Sequence, residues 1–112
     1  MGNPMTKVTM GTIQEMAQRI VAECDPEKVI LFGSCARQEA TKRSDVDFLV
    51  IANDMRPKPK RSAPLYSLLR DFHVSKDILV YTPQEVEDYA PLRASLIHRA
   101  LTEGIVLYEK QG

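Results

Sequence analysis

The chain has 112 residues, 44% of them apolar, which is the size and composition of one domain around one hydrophobic core and leaves no room for a second catalytic domain. Fifteen basic and fifteen acidic side chains cancel. No global positive field therefore draws the chain to nucleic-acid backbones, and long RNA or DNA is not an expected partner. The longest unbroken apolar run, Phe48 to Ala52, is far short of the roughly 20 residues that cross a bilayer.

The N-terminal stretch MGNPMTKVTM has no apolar segment ahead of a small-residue cleavage site, so a cytoplasmic location is expected. Its Met1-Gly2 start with Thr6 fits the loose myristoylation pattern, but no polybasic second anchor accompanies it and no membrane attachment is expected. In a reducing compartment Cys24 and Cys35 make neither a disulfide framework nor a metal cluster. Both read as small side chains facing the protein.

Along the chain, roughly the first ten residues are expected to be flexible within a single domain spanning 1–112. Ile13, Met16, Ala17, Ile20, Val21 and Cys24 recur at helical spacing, which predicts a helix from about Thr12 to Cys24 stopped by Asp25-Pro26. Val29 to Phe32 reads as a strand buried on both faces and ended by Gly33, and Val46 to Ala52 as a second such strand. Asn53 to Arg61, rich in proline and charge, reads as a loop whose basic run Lys58-Pro59-Lys60-Arg61 is solvated. Leu65, Leu68, Leu69 and Phe72 suggest a helix, and Asp77 to Tyr81 a third strand. Thr82-Pro83-Gln84-Glu85 combines an N-cap, a proline at the first helical position and a capping-box glutamate. A last helix is expected from Leu92 to Glu103, stopped by Gly104, with Ile105 to Tyr108 as the final strand. Strands alternating with helices predict an α/β (α+β) domain with a mixed sheet flanked by helices.

The chemistry is concentrated in Gly33-Ser34, ten intervening residues, and Asp45-Val46-Asp47. A buried strand running through Gly-Ser into a short helix exposes backbone N–H groups that favour a phosphate. Gly33 would let a triphosphate approach the backbone, and Ser34 would donate its hydroxyl or cap the helix. Asp45 and Asp47, two apart on a strand, point to the same face at the rim of a core. Two such anions either raise one pKa or are neutralised by a bound cation, and hard oxygen ligands suit Mg²⁺ or Mn²⁺. One glycine, one serine and two aspartates at these offsets arise by chance roughly once in a thousand chains of this length.

This segment resembles the signature of the DNA polymerase β-like nucleotidyltransferase superfamily, most closely its minimal nucleotidyltransferases. That family's GSxARG corresponds to Gly33-Ser34-Cys35-Ala36-Arg37-Gln38, with Gln38 in place of the usual glycine, and an ending similar to Ala100 to Tyr108 is common in these small proteins. The resemblance implies that Asp45 and Asp47 hold two divalent ions, Mg²⁺ or alternatively Mn²⁺, bridging the triphosphate of ATP. It adds Asp77 as a third carboxylate, next to the attacking oxygen. Gly33, Ser34 and Arg37 would hold the β and γ phosphates.

Three functions follow from the resemblance. The first is an antitoxin that transfers AMP from ATP to a tyrosine of a helical HEPN toxin. The second is a non-catalytic module of the same fold that blocks such a toxin by contact, and the third a transferase acting on a small molecule or an RNA end. The intact carboxylate triad favours the first. A homo-oligomer is left open by the sequence. His73 and His98 receive no role, and Tyr66, Tyr81, Tyr89 and Tyr108 read as scattered singly.

Overall fold

The computed structural model describes residues 8–33, 36 and 45–111. Most of the N-terminal segment expected to be flexible lies outside them, as do Ser34, Cys35, Arg37 and Gln38. The described chain runs α1 (Met10–Cys24), β1 (Lys28–Phe32), β2 (Val46–Ile51), α2 (Lys58–Leu68), β3 (Lys76–Tyr81), α3 (Pro83–Tyr89), α4 (Leu96–Glu103) and β4 (Ile105–Glu109).

The four strands form one mixed sheet in the order β3-β2-β1-β4, with β1 antiparallel to both β2 and β4 and β2 parallel to β3. Side chains alternate across it, and each face carries its own core. On one face Ile13, Met16 and Ile20 of α1 and Leu65 of α2 pack on Leu31, Phe48, Val50 and Ile78. On the other, Ile97 and Ala100 of α4 cover Ile30, Phe32, Leu49 and Ile51. The central β2 is thus apolar on both sides, as its sequence predicts; Phe48, Leu49 and Val50 are fully buried.

The helix signals hold with shifted boundaries. Thr9 accepts from the Thr12 N–H at 3.2 Å, starting α1 at Met10, two residues earlier than the expected Thr12. Asp25 closes the helix in the left-handed conformation, φ 47°. At α3 the Thr82–Glu85 capping box is present in both directions. The last helix begins at Leu96, not Leu92, because the Ser95 hydroxyl accepts from the His98 N–H at 3.0 Å and donates to the Tyr89 carbonyl at 2.9 Å, which turns the chain there. Gly104 ends α4 in extended backbone; a Cβ there would run into the Ala100 carbonyl and Ile30.

The expectation of a loop through Arg61 is corrected. Lys58 to Arg61 form the first turn of α2, with Pro57 at the N-cap and Pro59 within the opening positions, where a helix has no use for the missing N–H. Arg61 is buried rather than solvated. Its Nη1 donates to Glu85 Oε1 at 2.7 Å and to the Val80 carbonyl at 3.2 Å, and its Nε donates to the Arg56 carbonyl at 2.6 Å. Two tyrosines read as isolated also meet: Tyr81 and Tyr89 stack edge to face at 6.0 Å, with Lys58 Nζ over the Tyr81 ring at 4.3 Å.

Candidate active site

Because β1 runs against β2 while β3 runs with it, the end of β1 and the starts of β2 and β3 lie together at one end of the sheet. That end collects the acidic residues singled out in the sequence. Gly33 follows β1, Asp45 immediately precedes β2, and Asp47 and Asp77 are the second residues of β2 and β3. In the ladder Asp47 is the register partner of Asp77 on one side and of Phe32 on the other. Neighbouring strands are about 5 Å apart, so both carboxylates stand side by side on the face that also carries Leu49 and Leu79.

Asp45 and Asp77 are exposed, whereas Asp47 is half-buried. Burial pushes the Asp47 carboxyl up from 3.8 to about 6, reinforced by the charges of Asp77 and Asp45 and by a hydrogen bond with the Asp77 side chain. Two carboxyl groups share a hydrogen bond only when one is protonated, so the Asp77 side chain favours the protonated form of Asp47. Gly33 borders the cluster with φ 80°, and a Cβ built there would overlap Asp47 Oδ2. The backbone after β1 is therefore seated directly against the Asp47 carboxylate. Ala36 returns a turn bond to the Gly33 carbonyl at 3.1 Å.

The donor set fits a divalent cation. A carboxyl group raised by burial and by neighbouring carboxylates, as Asp47 is, gains from a hard cation that takes the place of its proton. Among the described residues no group of three or more His, Cys, Asp or Glu side chains is arranged to hold a metal ion. Mg²⁺ needs only one or two protein carboxylates and completes its shell with waters and substrate phosphates.

Several other titratable groups among the described residues are tied into contacts of their own. Asp71 is paired with Arg19 at 2.7 Å, and Asp88 accepts from Gln84 within α3 at 3.1 Å. Cys24 donates its thiol to the Ile20 carbonyl at 3.3 Å; burial, with Glu23 and Asp25 nearby, pushes it up to about 11, so it forms no thiolate at neutral pH. His98 Nδ1 is bound to the Ala90 carbonyl at 2.8 Å, a structural contact. No described helix is long and apolar enough to cross a membrane. One neighbour of the site was not legible in the sequence: the Tyr66 hydroxyl accepts from the Ile78 N–H at 2.9 Å, beside Asp77. Tyr66 follows a core leucine of α2, and nothing in the local pattern marks it.

The family model described as polymerase beta, nucleotidyltransferase matches residues 13–112. No curated protein matches the chain. Among solved structures the fold is similar to a toxin-antitoxin crystal structure with AMP-PNP, at 20% identity over 88% of this chain and 74% of that one, TM-score 0.62. It is similar also to a mutant of the toxin-antitoxin MntA-HpeT carrying two Asp-to-Glu changes two positions apart, at 18% identity, 93% and 75% coverage and TM-score 0.57. A crystal structure from Sulfolobus solfataricus described as a nucleotidyltransferase matches at 20% identity, 98% and 91% coverage and TM-score 0.55. With the match of its sequence to the family model over nearly its whole length, the chain belongs to the polymerase beta nucleotidyltransferase family.

Proposed function

We propose that the protein is a metal-dependent nucleotidyltransferase that moves AMP from ATP to an acceptor hydroxyl, and that the acceptor is a tyrosine of a HEPN toxin for which it serves as cytoplasmic antitoxin. The observation that carries the reading is the register pairing of Asp47 with Asp77, with Gly33 seated against the Asp47 carboxylate and that carboxyl raised to about 6. Support for the nucleotide and the partner comes from the similar structures, one determined with AMP-PNP and two of them toxin-antitoxin complexes.

In this reading Asp45, Asp47 and Asp77 would hold two Mg²⁺ ions, with Mn²⁺ as an alternative. Bound divalent ions supply charge neutralisation for the triphosphate and activation of the attacking and leaving oxygens. Gly33, Ser34 and Arg37 hold the β and γ phosphates through backbone N–H, hydroxyl and guanidinium donors. The acceptor oxygen attacks the α-phosphorus, the bond to the β-phosphate oxygen breaks, and pyrophosphate leaves. Asp77, exposed and on the acceptor side, takes the hydroxyl proton.

The test is incubation of the protein with Mg-ATP and the protein encoded beside it, followed by intact mass. An all-helical neighbour with an Arg-x₄₋₆-His motif that gains one or more AMP increments supports the reading. A tight complex with no mass change would replace it with inhibition by contact.

A further inference from the structure

Among the described residues β3 is an edge strand, bonded to β2 on one side only. Its inward groups are engaged: the Tyr81 carbonyl accepts from the Ala52 N–H at 3.0 Å, and just before the strand the Ser75 carbonyl accepts from the Val46 N–H at 2.9 Å. The groups of Ile78 and Val80 point the other way, to the open edge, where an unpaired strand normally frays or recruits another chain. Here α2 closes that edge with side chains instead of backbone. Tyr66 takes the Ile78 N–H at 2.9 Å, and Arg61 gives Nη1 to the Val80 carbonyl at 3.2 Å.

The Tyr66 bond acts on a particular peptide unit. The plane that contains the Ile78 N–H also contains the Asp77 carbonyl and the Asp77 Cα, since the six atoms of a peptide unit are coplanar. Holding that N–H from outside, while the ladder to β2 holds Asp77 from inside, fixes the direction in which the Asp77 Cα–Cβ bond leaves the strand. Parallel pairing is the weaker ladder geometry, so an outer fastening matters most there. Tyr66 is 39% exposed and contributes little to the core, so its hydroxyl has no packing duty that would explain the contact.

We propose that Tyr66 is a positioning residue for Asp77: its hydroxyl fastens the 77–78 peptide and thereby sets the Asp77 carboxylate opposite Asp47. The inference rests on the reading of Asp77 as the third metal-holding carboxylate. It predicts that a substitution on the far side of β3, touching neither nucleotide nor ion, loosens one ion selectively.

The experiment compares the full-length wild type with Tyr66→Phe and Asp77→Asn. Amide hydrogen exchange without ligand reads the fastening, and Mn²⁺ titration by electron paramagnetic resonance, with AMP-PNP present to prevent turnover, reads the ion. Tyr66→Phe should exchange the Ile78 amide about tenfold faster while the Val50 amide of β2 keeps its rate. It should also weaken, about two- to tenfold, the same Mn²⁺ ion that Asp77→Asn loses. Unchanged Ile78 exchange, equal acceleration of Ile78 and Val50, or wild-type Mn²⁺ affinity in Tyr66→Phe would each overturn the positioning role. If Asp77→Asn itself loses no Mn²⁺, the reading of Asp77 fails and the proposal falls with it, an outcome recognised from the Asp77→Asn sample alone.

Discussion

Gly33 and Asp47 are in contact across the β1–β2 junction so closely that a methyl group on Gly33 would occupy the space of the Asp47 carboxylate oxygen. With φ 80° at Gly33, alanine meets both backbone strain and this collision. Gly33→Ala should cost about 1–3 kcal/mol of stability and should displace the Asp47 carboxylate. Thermal denaturation together with Mg-ATP calorimetry checks both effects. An alanine variant with wild-type stability and nucleotide affinity would separate Gly33 from the site.

Asp47 also makes stability depend on pH in an unusual direction. Its carboxyl rises from 3.8 to about 6 on folding, so the proton is held more tightly in the folded state. The associated stabilisation is complete below pH 3.8 and is lost as pH rises through about 6, a change on the order of 2 kcal/mol for the apo protein. Asp47→Asn should flatten that slope, leave apo stability at pH 7.5 level or higher, and abolish metal-dependent nucleotide binding. Asp45→Asn should act the same way with a smaller stability gain, because its charge is a lesser cause of the shift. Denaturant titrations between pH 4 and pH 8 read the slope; a large apo destabilisation in either variant would make the pair structural.

Asp77→Asn should behave differently from the β2 pair. Read as serving the acceptor side, it should retain much of the affinity for Mg-ATP while losing transfer. Calorimetry beside a transfer assay separates the two, and normal transfer by Asp77→Asn would remove Asp77 from the machinery.

Glu85 ties three elements together, capping α3 while pairing with the buried Arg61 of α2, whose guanidinium also reaches β3. Glu85→Ala leaves that guanidinium buried without its anion and should cost about 2–4 kcal/mol. The Arg61 hydrogen bond holds the Glu85 carboxyl below its ordinary value. This contribution is therefore present above the ordinary carboxylate value and lost as pH falls below it through the depressed folded value, opposite in sign to that of Asp47. Chemical denaturation of the two proteins at pH 7 and pH 3 measures it; an equal stability difference at both values would deny the pair its role.

The elements most legible in the sequence were those with local causes. The capping box at Thr82 and Glu85, the two-sided apolar run of β2 and the apolar stripe of α1 each specify their structure within a few residues. Local spacing also put Asp45 and Asp47 on one face of a strand, and the structure keeps them at one end of the sheet with Asp77, which a family resemblance suggested. What local pattern could not supply were partners distant in sequence. Lys58 to Arg61 look solvated until Glu85 and Val80 are brought to Arg61, and Tyr66 has no visible duty until β3 becomes an edge strand. The start of α4 was misplaced because Ser95 spends its hydroxyl on the backbone rather than continuing a periodic pattern.

The most direct measurement is the thermal stability of the wild type and Asp47→Asn in Mg-ATP and in ATP with EDTA. A ligand bound only by the native state at a hundredfold excess over Kd stabilises by about 2.7 kcal/mol, which for a domain of this size raises Tm by roughly 10 °C or more. The wild type should show that rise with Mg-ATP and none with ATP and EDTA, and Asp47→Asn should show none in either. A rise in Asp47→Asn equal to that of the wild type, or a wild-type rise that survives EDTA, would contradict a nucleotide site built on these carboxylates.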